Sequence, residues 1–161
     1  GDIAVICKVV DNRVVVAAGD TLFSALLLEG QYPEYSGVIR APGDHPAPVE
    51  PSALLRAVRQ ATPLTDQETR AIQVTFKKGA AVFEAKSSGA GGGTAKVQID
   101  LPYKGPKVTI AFDPAFLSDA LRALGSHDAT LDVTGASDAA VLRTDDGYTN
   151  VIMPITLAEG A

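Results

Sequence analysis

The chain has 161 residues, of which 46% are hydrophobic and 20% charged, and its formal net charge is −5. This composition is typical of a globular domain with an aliphatic core, not of a disordered segment. No apolar run reaches the roughly 20 residues that a membrane helix needs, and the start at Gly1 lacks the basic and apolar regions of a signal peptide. The negative charge excludes bulk attraction to DNA or anionic lipid, so any DNA contact must depend on a local basic face.

The first part of the chain predicts a small antiparallel sheet. Three β-rich runs occupy residues 3–9, 13–18 and 21–28, and the turn-forming dipeptides Asp11-Asn12 and Gly19-Asp20 separate them. No helix is interspersed, so the sheet has an apolar face with nothing obvious to cover it.

Cys7, the single cysteine, alternates with Val5 and Val9, which predicts a small core residue. One cysteine also excludes an internal disulfide and favours a reducing cytoplasm.

Residues 29–49 are rich in Pro and Gly and predict an irregular linker. After them the chain contains an internal repeat, because residues 50–59 align with residues 113–122. Each copy begins with an acidic residue and a proline, Glu50-Pro51 and Asp113-Pro114, which is typical of a helix start. Apolar residues then follow at helical spacing; they are Ala53, Leu54, Ala57, Val58 and Ala61, and Phe116, Leu117, Ala120, Leu121 and Leu124, with Gly125 as the second helix stop.

Runs with the alternation of β-strands surround these helices. The alternating residues are Ile72, Val74 and Phe76; Ala81, Phe83 and Ala85; Val97, Ile99 and Leu101; Val108, Ile110 and Phe112; Leu131 and Val133; Ala140 and Leu142; and Val151, Met153, Ile155 and Leu157. Lys78-Gly79 predicts a hairpin turn, residues 145–147 a looser turn, and residues 87–93 a mobile loop.

The pattern is β-α-β-β-β, twice, which predicts an α+β fold with paired helices on one side of antiparallel sheets. We assign this domain to residues 38–161. Residues 1–37 then comprise the last strands of a preceding copy and a linker.

Catalytic and metal-binding patterns are weak. The two histidines, His45 and His127, lie in turn-like contexts without the spacing of a metal or nucleophile motif. Ser126, His127 and Asp128 are consecutive, so their side chains diverge and cannot form a triad by adjacency. We therefore predict no catalytic residues, no metal site and no cofactor.

Three segments resemble the bacterial beta sliding clamp family: residues 27–35 (LLEGQYPEY), 110–121 (IAFDPAFLSDAL) and 150–157 (NVIMPITL). The resemblance implies the DNA clamp fold and a processivity factor that tethers a replicative polymerase to DNA without a reaction of its own. It also implies that the chain corresponds to the end of the middle domain and the whole last domain of a longer bacterial, cytoplasmic, nucleoid-associated protein.

The same resemblance implies a hydrophobic groove for short motifs of polymerase, clamp-loader and repair proteins. Its residues here would be Pro33, Val38, Phe116, Val151, Met153, Pro154 and Ile155. The alternative for Val151, Met153 and Ile155 is ordinary core packing. Ser36-Gly37 and Thr156 stand where the family commonly has basic residues, which bears on motif preference.

For duplex DNA, the resemblance implies sequence-independent contact through Arg56, Arg59 and Arg122, which otherwise belong to a solvated helix surface. Pro63 and Leu64 would meet the next subunit of a homodimeric ring, or else form an ordinary loop. Two rival functions stay open: a clamp-fold paralogue that acts only as a protein-interaction module, and an enzyme on the same fold.

Overall fold

The computed structural model describes residues 4–32, 34–65, 70–87 and 92–156. The chain divides into two compact units, Gly1–Tyr35 and Ser36–Ala161. The strands are β1 (Val5–Val10), β2 (Arg13–Ala18), β3 (Thr21–Leu26), β4 (Ala47–Val49), β5 (Ile72–Lys77), β6 (Ala80–Lys86), β7 (Thr94–Asp100), β8 (Val108–Phe112), β9 (Ala129–Asp132), β10 (Ala140–Thr144) and β11 (Thr149–Ile152). The helices are α1 (Pro51–Ala61) and α2 (Pro114–Leu124), and a 3-10 turn covers Thr62–Leu64.

The first unit is an antiparallel sheet in the order β1-β2-β3, which confirms the predicted meander. Asp11 and Gly19 adopt positive φ values of 53° and 56° in its two tight turns, as such hairpins require. Every residue of β1 is exposed, including Cys7, so the core position predicted for Cys7 is wrong. The described residues of this unit form one sheet without a helix of their own to cover it.

The second unit contains two four-stranded antiparallel sheets that exchange strands between the repeats. One sheet has the order β7-β6-β5-β8 and the other the order β11-β10-β9-β4. The first strand of each repeat therefore pairs with the sheet of the other repeat: β8 pairs with β5, and β4 pairs with β9. Each half of the unit is completed by the other.

The two helices pack against each other, and α1 also packs against β6 and β7. Pro51 and Pro114 occupy the first helical position, and Asp113 caps α2 by accepting a hydrogen bond from the backbone N–H of Ala115 at 2.7 Å. Gly125, at φ 59°, ends α2 as predicted. The buried apolar residues of both helices and both sheets form one continuous core. Neither helix in the described ranges is long and apolar enough to span a membrane.

Two segments differ from their predictions. Residues 47–49, predicted as linker, form β4, which is an edge strand. Because one side of an edge strand has no neighbouring strand, the missing backbone N–H of Pro48 is tolerated there. The last strand ends at Ile152, before Pro154, and Leu157 lies outside the described residues. Part of the predicted loop 87–93, residues 88–91, also lies outside them.

Candidate functional site

An open depression of about 590 Å³ lies between α2, β11 and the segment that follows β11. Its lining residues are Asp113, Phe116, Asp119, Ala120, Asn150, Val151, Ile152, Met153, Pro154 and Ile155. We call it the α2–β11 groove. Five of the seven residues predicted for a docking groove, Phe116, Val151, Met153, Pro154 and Ile155, line it together.

Phe116 forms one side of the groove because it lies at the margin of the apolar stripe of α2. Leu117 and Leu121 point into the core, whereas the side chain of Phe116 is 69% exposed. Phe116 thus shares the apolar stripe of the helix by spacing, but it is exposed beside the groove instead of packed in the core. A large aromatic surface exposed beside a concave site is typical of a protein-binding surface.

The other side follows from the alternation of β11, which is an edge strand. Ile152 is the residue that enters the core, at 4% exposure, so its neighbours Val151 and Met153 face the opposite way. Val151 is half-buried and Met153 is 63% exposed. The interpretation of Val151, Met153 and Ile155 as core residues therefore does not hold for Met153.

After β11 the chain leaves one sheet and reaches the other. The backbone N–H of Ile155 donates to the carbonyl of Ala111 in β8 at 2.8 Å. Since β11 and β8 are edge strands of different sheets, Met153 and Pro154 span the seam between them. Pro154 and Ile155 also line a smaller adjoining depression of about 270 Å³, together with Thr156.

The remaining two predicted groove residues are not placed in this groove. Val38 is 49% exposed and is not among the residues that line the depression. Pro33 lies outside the described residues.

The charged residues that line the groove in the described chain are two aspartates, Asp113 and Asp119. Asp113 is the helix cap described above, and Asp119 accepts from Arg122 Nη1 at 2.6 Å in an exposed ion pair. Asn150 donates from Nδ2 to the Tyr148 hydroxyl at 3.2 Å. No Lys or Arg is among the residues that line the α2–β11 groove in the described chain.

The predicted DNA-facing arginines, Arg56, Arg59 and Arg122, are all exposed. Arg59 and Arg122 line a second open depression of about 600 Å³, where α1 and α2 lie side by side. Arg56 is outside that depression; its guanidinium donates to Ser52 Oγ at 3.0 Å and lies 4.0 Å from Glu50.

Arg70 also lines the depression with Arg59 and Arg122. Arg70 could not be predicted from a sequence pattern, because it lies outside both helices and its φ of 45° belongs to an irregular backbone. We call these three residues, Arg59, Arg70 and Arg122, the arginine face.

The two residues predicted for a ring interface lie in the 3-10 turn after α1. Pro63 is exposed and lines the arginine-face depression. Leu64 is half-buried and packs against the core, so part of its apolar surface is buried within this unit and cannot contact another subunit.

Neither histidine belongs to a described catalytic arrangement. His45 is exposed in the segment before β4. His127 Nδ1 lies 3.7 Å from Asp146 Oδ2, and both side chains are exposed. A hydrogen bond from the Thr144 hydroxyl lowers the pKa of Asp146, with smaller contributions from the Tyr148 N–H and His127. Among the described residues no three His, Cys, Asp or Glu side chains are grouped closely enough to hold a metal ion.

A buried ionic cluster, which sequence reasoning missed, fixes the segment before β4. Asp132 is 1% exposed, and its Oδ2 lies 3.5 Å from Arg143 Nη1 and accepts from the Gly43 N–H at 2.6 Å. Arg40 donates to the carbonyls of Asp132, at 3.3 Å, and Ala139, at 2.8 Å. These bonds tie residues 40–43 to β9 and β10.

Tyr103 is the buried phenol of this unit, and its hydroxyl donates to the carbonyl of Pro106 at 3.0 Å. Burial raises the pKa of Tyr103, and the nearby negative charge of Asp132 adds to that shift.

Comparison with known proteins identifies a matching family model and several curated relatives. Residues 42–156 match the family model described as "DNA polymerase III beta subunit, C-terminal domain". The chain is 29% identical over 140 residues to the beta sliding clamp of Streptomyces coelicolor, covering 82% of this chain and 36% of that protein. It is 25% identical over 146 residues to the beta sliding clamp of Chlamydia muridarum, covering 91% of this chain and 39% of that protein.

Solved structures share the fold. A DNA polymerase sliding clamp from Pseudomonas aeruginosa, solved with a ligand, aligns with a TM-score of 0.87 at 21% identity, over 95% of this chain and 42% of that one. A clamp from Bartonella birtlesii bound to griselimycin aligns with a TM-score of 0.85 at 21% identity, over 95% and 41% of the two chains. The chain thus spans about two fifths of these relatives, and the expected clamp fold is confirmed. Because the family model covers most of its length, the chain belongs to the DNA polymerase III beta subunit family, through that family's C-terminal domain.

Proposed function

We propose that this chain serves as the C-terminal part of a bacterial sliding clamp, a processivity factor of the cytoplasm that tethers a replicative polymerase to duplex DNA. It would act by binding and not by catalysis. Family membership supports the general role, and the observation that carries the docking function is the α2–β11 groove, where exposed apolar side chains of a helix and an edge strand face one another.

The groove suits a short peptide with apolar side chains. Phe116 supplies an aromatic surface, and Met153 supplies a side chain whose flexibility lets one site accept several partners. Pro154, which has no backbone N–H, keeps this wall from continuing as a strand. The partners that would present such motifs are those that the family implies: polymerase, clamp-loader and repair proteins.

Peptide binding tests this proposal. We expect a short peptide with Leu and Phe side chains to bind the chain weakly in calorimetric titration. Met153→Ala and Phe116→Ala should each weaken binding about 5- to 30-fold, or about 1–2 kcal/mol, because each removes apolar contact surface. Leu28→Ala is the matched control, since Leu28 is 98% exposed and is not a lining residue. Binding that is insensitive to both groove changes would refute the proposal.

For DNA, we propose that the arginine face meets phosphates, with Arg56 at its margin. Exposed guanidinium groups on and beside the paired helices offer weak, sequence-independent contact, which is what a protein that slides requires. The net charge of −5 disfavours tight binding elsewhere on the surface. Retention on DNA would then come from enclosure by a homodimeric ring, to which Pro63 and Leu64 would contribute contact surface.

An NMR titration with duplex DNA at low salt tests the arginine face. We expect shift changes near Arg59, Arg70 and Arg122 that disappear as salt rises, because phosphate contacts release counterions. The double variant Arg59→Gln, Arg122→Gln should lose them, whereas Arg13→Gln, in the first unit, should keep them. Shift changes centred elsewhere, or unaffected by salt, would contradict the role of the arginine face, and the absence of any shift change would favour a clamp-fold protein that does not contact DNA.

A further inference from the structure

The N-terminal half of α2 separates two depressions of opposite character. On one side lies the apolar α2–β11 groove, and on the other lies the arginine face. Asp113 and Asp119 line both depressions. The rim of the groove is therefore acidic at the place where the helix divides the two surfaces.

Asp113 and Asp119 differ in the partners that their carboxylates already have within the chain. Asp113 is held by the helix terminus, since its side chain accepts from the Ala115 N–H. Asp119 has one partner in the described chain, Arg122, which reaches it from the next turn at a spacing of three residues. That pair is exposed, so its strength is modest and a second cation can compete for Asp119.

We infer, on the basis of the proposed docking function, that the α2–β11 groove selects apolar motifs that carry a Lys or Arg beside their apolar side chains. Asp119 is the residue that determines this specificity. The groove lining contains two acidic and no basic residues, so a cationic flank gains attraction whereas an acidic flank meets repulsion. Arg122 opposes the selection because it neutralises part of the charge of Asp119.

Three peptides of equal length and identical apolar residues test the inference, with Lys, Gln or Glu at the flanking position. Measured by competition against a fluorescent copy of the Gln peptide, the Lys peptide should bind about 2- to 5-fold more tightly than the Gln peptide, and the Glu peptide more weakly. Raising NaCl from about 0.05 M to about 0.5 M should compress these differences, because the groups are exposed to solvent.

Two variants of α2 separate the role of Asp119 from that of Arg122. Asp119→Asn should remove most of the difference in affinity between the Lys and Glu peptides. Arg122→Gln should enlarge that difference, because Asp119 then loses its internal partner. Thermal unfolding of each variant, followed by circular dichroism, checks that the fold is retained.

The outcomes are distinguishable. Equal binding of the three peptides, tighter binding of the Glu peptide, or an unchanged Lys-to-Glu ratio in Asp119→Asn would overturn the charge selectivity and leave the docking groove standing. Absence of binding by every peptide would overturn the docking function and the selectivity together.

Discussion

At the scale of single residues, Asp132 is a buried carboxylate whose polar contacts join β9, β10 and the segment before β4. It is almost fully buried beside Arg143, and it also accepts from the backbone of Gly43. A buried ion pair adds little net stability by itself, but the loss of one partner leaves the other charge uncompensated. The segment 40–43 is therefore held in place by a contact that tolerates little change.

We expect Asp132→Asn to lower the free energy of unfolding by about 2 kcal/mol, because the half-buried guanidinium of Arg143 would lose its charged partner. Urea denaturation followed by circular dichroism measures this change. Asp119→Asn is the matched control, since the Asp119–Arg122 pair is exposed and its loss should cost at most about 1 kcal/mol. Equal effects of the two substitutions would contradict this account of the cluster.

At the scale of elements, the two helices begin alike and end differently. Both have Pro at the first helical position, but α1 runs into the 3-10 turn at Thr62, whereas α2 stops at Gly125 with a left-handed φ of 59°. A Cβ built on Gly125 has no atom within 4 Å. The cost of a side chain there is therefore a backbone cost and not a steric clash with neighbours.

Gly125→Ala should destabilise the second unit by about 1 kcal/mol, because alanine disfavours the left-handed conformation. Gly37 gives a matched control: its Cβ would also meet open space, and it is absent from the positive-φ residues of the described chain. We expect Gly37→Ala to be neutral or slightly stabilising in the same chemical denaturation experiment. A neutral Gly125→Ala would show that this helix end relaxes without cost.

At the scale of the whole molecule, the two units differ sharply in how much apolar surface they bury. The core lies in the second unit, while β1 and most of β3 in the first unit are exposed. A sheet gains stability by burying an apolar face against another layer, and the described residues of the first unit include no helix of that unit that could form such a layer.

Amide hydrogen exchange should therefore show two classes of protection in this chain. The amides of β1–β3 are expected to exchange at lower opening free energy than those of β5 and β6, which lie in the middle of a buried sheet. The second unit should open as a single cooperative block, because β4 and β8 bind its two halves to each other. Uniform protection across both units would contradict this expectation.

Much of this architecture could be predicted from the sequence, because the repeat and the alternation are local patterns. The starts of both helices at Pro, the stop at Gly125 and the hairpin at Lys78-Gly79 all follow from backbone preferences of single residues. The clamp fold followed from three motifs in order. What could not be predicted is which strands pair across the repeats, since a period of two identifies a face and not a partner.

The residues of the groove could be predicted from the sequence only in part, for the same reason. Phe116 fits the helical stripe by spacing, and only the packed structure shows that it lies at the margin. Asp132 stands between Leu131 and Val133, where alternation predicts an outward side chain, so its burial against Arg143 had no local signal. For Met153, the sequence could not tell that Ile152 takes the core position instead.

The placement of β4 and β11 at opposite edges of one sheet has a mechanical consequence. The chain enters the second unit near β4 and leaves it after β11, so tension applied through the backbone passes across the β4-β9-β10-β11 sheet. Beyond β11, the backbone N–H of Ile155 is hydrogen-bonded to Ala111 in β8, an edge strand of the β7-β6-β5-β8 sheet. A pull applied beyond Ile155 would therefore load the Ile155–Ala111 hydrogen bond first, and it would reach Pro154, Met153 and β11 only after that bond had broken.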